Sequence, residues 1–124
     1  MYDLLLGHWI GDYILQTHEI ATNKSKPDAK GFWACTIHCI LYTISVMICL
    51  LPLFTSSTVF LASIALVYIS HYFIDRYSVA YKIMEMKGGP AISEPFAPSI
   101  YIIIDNGMHI VLMYVMLTLI GVTL

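Results

Sequence analysis

Charge is what this sequence has least of: 11% of its 124 residues are Asp, Glu, Lys or Arg, while 59% are hydrophobic. Soluble domains carry about 25% charged and about 45–50% apolar residues. A globule of this size has too little interior for such an excess, which therefore belongs in lipid; the mean hydropathy of +0.78 agrees. Basic residues are scarce as well, with six Lys and Arg against eight Asp and Glu and a net charge of −2. That excludes the basic stripe of a nucleic-acid binder. Cys35, Cys39 and Cys49 lie in one hydrophobic run without a C-x-x-C pair, which excludes a disulfide framework and reads as small buried residues. There is no internal repeat and no low-complexity tract. Met1-Tyr2-Asp3 lacks a basic region and no small-x-small site follows, so the first apolar segment is expected to stay in the mature protein.

What is present is a series of long apolar runs. A bilayer core needs about 20 residues per helix. Residues 32–53, 58–77 and 100–124 meet that, bounded by Pro52, by Gly88-Gly89-Pro90 and by Pro95 and Pro98. Ser56-Ser57-Thr58 offers a helix N-cap between the central runs. Residues 2–21 are more polar, but Leu4-Leu5-Leu6, Trp9-Ile10 and Tyr13-Ile14-Leu15 fill the faces around a single polar stripe. The expected fold is therefore all-α: one membrane domain over 1–124, a polytopic four-transmembrane-helix bundle. Five of the six basic residues fall in the connections 22–31 and 78–99 (Lys24, Lys26 and Lys30; Lys82 and Lys87), and Arg76 stands at the end of span three, against the second of them. The positive-inside rule puts both connections in the cytoplasm and both termini outside.

Chemistry-bearing residues recur inside these runs at one spacing. Span one holds His8-x-x-x-Asp12-x-x-x-Gln16, span three His71-x-x-x-Asp75, and span four Asp105-x-x-x-His109; span two adds His38, with Tyr42 one turn on. Residues four apart share a helical face, so each helix can aim two groups at one interior point. An aspartate at mid-membrane costs about 2.5–3.5 kcal/mol on insertion scales, so three such residues without compensation cost on the order of 10 kcal/mol. Residues of this kind face the bundle interior and mark function. His8, Asp12, His38, His71, Asp75, Asp105 and His109 form an N/O ligand set suited to Zn²⁺, Mn²⁺ or Fe²⁺, or to Mg²⁺ if carboxylates dominate, with one or two ions. By contrast His18, beside Glu19, reads as interfacial, and Gly7-x-x-x-Gly11 as a close-packing surface.

The segment Gly7-His8-Trp9-Ile10-Gly11-Asp12-Tyr13-Ile14-Leu15-Gln16-Thr17 resembles the opening of a family of small bacterial and phage membrane proteins labelled as of unknown function. The family pattern H-x-x-x-D-[FY]-x-x-Q, a second-span histidine, H-x-x-[IL]-D and D-Q-x-x-H is met at His8 to Gln16, His38, His71 to Asp75 and Asp105 to His109. Asn106 stands where the family usually has Gln. The resemblance implies a bacterial inner-membrane location. The His/Asp motifs are also loosely similar to those of bacterial inner-membrane proteins regarded as metal-dependent hydrolases.

These readings lead to an expected intramembrane metal-dependent hydrolase opening to the cytoplasmic side, in which Asp12 is the base and Gln16 orients substrate or a ligand histidine. A phosphate ester, a lipid head group and a small amphiphile all remain open as substrates, with membrane lipid as the surrounding partner. An ion, proton or small-solute pathway built on the same cluster is the alternative, and with so few spans it would call for a homo-oligomer. A haem-binding protein is a second alternative, since four helices carry histidines, although the neighbouring aspartates count against it.

Overall fold

The structure, a computed structural model, describes residues 1–90 and 93–124. The described residues are helical with no strand: α1 Tyr2–Trp9, α2 His18–Asn23, α3 Ala29–Leu50, α4 Ser57–Arg76, α5 Val79–Met86 and α6 Ala97–Leu119. Three of the helices are long and apolar enough to cross a membrane, namely α3 with its 3-10 extension through Leu53, α4 and α6. Their outward faces carry Trp33, Ile37, Ile44, Ile48, Leu61, Ile69, Phe73, Ile103 and Val111, all exposed, while His38, His71, Asp75 and His109 are buried. That inverted polarity is the arrangement a lipid solvent demands.

The fourth expected span does not form. After α1 the chain passes through a π-helical turn, Ile10–Ile14, where the Leu15 amide reaches back five residues to the Ile10 carbonyl. The helix then breaks, and α2 begins after Thr17. Side chains drive the break by taking over backbone groups: Gln16 Nε2 donates to the Asp12 carbonyl at 3.2 Å, and Thr17 Oγ1 accepts from the Ile20 amide at 3.3 Å. The helical stretch before the break, from Tyr2 to Ile14, is about 20 Å long at about 1.5 Å per residue, short of a hydrocarbon core of about 30 Å. Of the four expected spans, three are helices long and apolar enough to cross a membrane, and the first is a shorter helix packed against α3.

Sequence explains most of the other boundaries. Asp28 Oδ1 caps α3 by accepting from the Gly31 amide at 2.7 Å, and Ser56 Oγ caps α4 at Val59. Pro52 lies in the 3-10 turn that ends α3, and Pro98 sits in the first turn of α6. The connection expected over 78–99 contains α5, set off from α4 by Ser78 at φ 48°, with Ala80 and Met84 buried beneath it. Residues 91 and 92 of that connection lie outside the described residues.

Gly7 and Gly11 let α1 lie against α3 as expected. A Cβ on Gly7 would stand 2.7 Å from Val46 Cα, and one on Gly11 would stand 3.1 Å from Tyr42 Cα. The bundle then divides along its length. Leu4, Val46, Leu50, Val67, Met113, Leu117 and Val122 fill one end, with Leu53, Phe54 and Leu124 packed on them. Tyr42 closes that cluster, and the polar residues begin beside it.

Candidate metal centre

Four of the long or broken helices each deliver ligand-type side chains to one layer. Asp12 comes from the π turn after α1, His38 from α3, His71 and Asp75 from α4, and His109 from α6; all five are buried. His71 and Asp75 are four residues apart on one helix, so a single turn presents both. A π turn often marks a functional site, and here it carries Asp12.

The geometry is convergent. His38 Nε2 and His71 Nε2 are 2.9 Å apart. Asp75 Oδ2 lies 3.0 Å from the first and 3.1 Å from the second, while Asp12 Oδ1 lies 3.2 Å and 3.4 Å from them. His109 Nε2 approaches the other Asp75 oxygen at 3.4 Å. Ligands held about 2.0–2.1 Å from one ion stand about 2.9–3.4 Å from each other, depending on coordination geometry. The measured separations fall in that window. Asp12, His38 and His71 form one trio whose ligand atoms lie within 4.8 Å of one another, and His71, Asp75 and His109 form a second.

Hydrogen bonding alone leaves this layer incomplete. Asp12 Oδ1, Asp75 Oδ1, His71 Nδ1 and His109 Nε2 are buried without a hydrogen-bond partner. A neutral imidazole has one N–H, so the His38 and His71 rings cannot serve each other and two carboxylates at once. Buried acceptors left unpaired are costly. A cation among them would satisfy Asp12 Oδ1, Asp75 Oδ1 and His109 Nε2, so the residues present fit a divalent metal. One feature departs from the usual histidine ligand, whose second nitrogen donates to a partner. His71 is held instead by stacking, with ring centroids 3.5 Å from Tyr42 and 4.1 Å from His109.

The other expected site residues lie around this core. Both His8 nitrogens are engaged: Nε2–H donates to Asn106 Oδ1 at 2.7 Å, and Nδ1 accepts from the Tyr42 hydroxyl at 2.8 Å. His8 stands 3.4 Å from Asp12 Oδ2, beside the convergent atoms rather than among them. Asp105 is 3.8 Å from His109 Nε2, with its carboxylate partly exposed. Gln16 braces the Asp12 backbone. His18 is exposed, and it is in neither of the two ligand trios.

Two residues join the site that the sequence reading left elsewhere. Lys24, placed there among loop charges, donates from Nζ to Asp75 Oδ2 at 2.7 Å and lies 3.5 Å from His38 Nε2. Burial disfavours its charged form, yet the Asp75 and Asp12 carboxylates outweigh that and hold its pKa above the ordinary lysine value. Asn106 anchors His8 while donating to the Tyr13 hydroxyl and the Ile102 carbonyl. The place of Asn106 one residue after Asp105 is the signal the sequence offers for it; Lys24 offers none beyond its place in a basic loop.

A family model described as protein of unknown function (DUF3307) matches residues 1–124, the whole chain. No curated protein and no solved structure matches.

Proposed function

The chain belongs to this family of proteins of unknown function, and from its site we propose that it is an integral-membrane metalloprotein with one divalent cation held by Asp12, His38, His71, Asp75 and His109. The observation that carries the reading is the meeting of two histidine Nε2 atoms and two carboxylate oxygens at 2.9–3.4 Å. Charge supports it too. Asp12, Asp75 and Asp105 against Lys24 leave two negative charges when the histidines are neutral, which one divalent ion balances.

The reaction class in this proposal is hydrolysis: a divalent ion held by these residues would supply Lewis acidity to a water or an ester oxygen. With Asp12 in the ligand set, the proton acceptor moves to Asp105, the nearest partly exposed carboxylate. A groove of about 510 Å³ between α1 and α6, lined by Leu5, Leu6, Trp9 and Ile110 with His8 and Asn106 as its polar residues, suits an amphiphile arriving from the bilayer. The haem alternative draws less support, since the His38, His71 and His109 rings pack 4.1–4.9 Å apart, too close for a porphyrin between them. The orientation follows the basic residues: with three crossing helices, the connections 22–31 and 78–99 lie in the cytoplasm and the C-terminus outside, in a bacterial inner membrane. Labelling of a cysteine introduced at Lys26 from the outer side would reverse it.

Elemental analysis of protein purified without chelator tests the metal. The expected content is about one divalent ion per chain, lost in His71→Ala and kept in His18→Ala. Equal content in both variants would remove the proposal. A second reading, a proton pathway, is favoured by the continuous chain from Lys24 through Asp75 and His38 to His71, with steps of 2.7, 3.0 and 2.9 Å. Absence of metal together with proton flux in proteoliposomes would favour it.

A further inference from the structure

Lys24 is a buried ammonium beside the proposed ligands, and its backbone is fixed. Its own amide donates to the Ile20 carbonyl at 2.9 Å. Lys26 Nζ donates to Asn23 Oδ1 at 2.8 Å, and Asn23 Nδ2 donates to the Glu19 carbonyl at 2.7 Å. The Arg76 guanidinium, at the end of α4, donates to the Lys26 carbonyl. Gly31 allows the loop to close on α3, since a Cβ there would stand 2.0 Å from the Lys26 carbonyl oxygen. The loop therefore returns over the cluster and delivers one positive charge to Asp75 Oδ2, with 13% of the lysine side chain exposed.

Resting on the metal-centre reading, we infer that Lys24 sets the valence of the cation this site accepts. Its ammonium is a resident cation that cancels one of three carboxylate charges and leaves two for the ion. Coulomb repulsion from the ammonium grows with ion charge, so at equal distance a trivalent ion loses about half again as much as a divalent one. Removing the charge should tighten binding of both ions and the trivalent ion more. A lysine that only positions Asp75 would have the opposite effect, because its loss would weaken both ions together. Selectivity between valences is thus a readout that a purely structural role does not move.

The test uses the full chain in detergent micelles, with Mn²⁺ followed by paramagnetic resonance and Tb³⁺ by luminescence. Wild type is compared with Lys24→Gln, Lys24→Met and the charge-keeping Lys24→Arg, with helix content and monodispersity checked for each. The ratio of Tb³⁺ to Mn²⁺ dissociation constants should fall by about tenfold or more in the two neutral variants and stay near wild type in Lys24→Arg. An unchanged ratio, or parallel weakening of both ions, overturns the role of Lys24 while leaving the metal centre standing. Loss of fold in both neutral variants with Lys24→Arg intact also overturns it, making the lysine a structural counter-charge. Failure of wild type to bind Mn²⁺, Tb³⁺ and also Zn²⁺ overturns the metal-centre reading and this inference with it, whereas binding of Zn²⁺ with neither of the other two overturns this inference alone.

Discussion

The two ends of the bundle are built from the same helices under different rules. Around Leu4, Val46, Leu50, Val67, Met113 and Leu117 the interior is apolar, as is the lipid outside, so no hydrophobic gain separates inside from outside. That end holds together by shape, and Gly7 against the Val46 backbone is its closest fit. Around His38, His71, Asp75 and Asp12 the interior differs sharply from its surroundings, and each atom has named neighbours at fixed distances. Shape tolerates substitution by volume, whereas converging nitrogens and oxygens tolerate almost none. Tyr42 belongs to both ends, packing in the apolar cluster while its ring stacks on His71 and its hydroxyl reaches His8 and Met113 Sδ.

Substitutions at the two ends should therefore separate stability from metal. Leu50→Ala, at a fully buried position of the apolar end, should cost about 1–3 kcal/mol in unfolding from micelles, the packing and cavity part of the loss alone. Its metal content should match wild type; loss of metal would mean that the ends are not independent. Tyr42→Phe keeps the ring and removes the hydroxyl, so its cost should be about 1 kcal/mol, with metal affinity weakened through His8 rather than abolished. Complete loss of metal in that variant would move Tyr42 from the boundary into the centre itself.

The same division governs what could be read from sequence. The i,i+4 pairs His8/Asp12, His71/Asp75 and Asp105/His109 were legible because helical periodicity is local, and the capping role of Ser56 was legible for the same reason. The break after Ile14 was not, because it depends on Gln16 and Thr17 taking backbone partners within a segment whose apolar content resembles a span. Which of the seven candidate ligands converge was also hidden. His8 is drawn aside by Asn106, nearly a hundred residues away in the chain, and Asp105 stays at the rim. Lys24 reaches Asp75 only because the loop 24–28 reverses over the bundle, a tertiary event that no local spacing encodes. Counting basic residues placed Lys24 in a loop, as the structure does, but gave no hint that its ammonium turns inward.

The central claim is that the polar end is a metal centre rather than hydrogen-bonded glue between helices. The most direct measurement is the thermal stability of metal-loaded wild type and Asp75→Asn, each with and without chelator. An ion bound about a thousandfold more tightly than its free concentration stabilises by about 4 kcal/mol. Wild type should lose stability on chelation by an amount of that order, whereas Asp75→Asn, folded but deprived of a ligand oxygen, should barely respond. Wild-type stability unmoved by chelator, with Asp75→Asn as stable as wild type or more so, would contradict the account, because polar contacts in membrane bundles average only about 0.6 kcal/mol and an amide is cheaper to bury than a carboxylate.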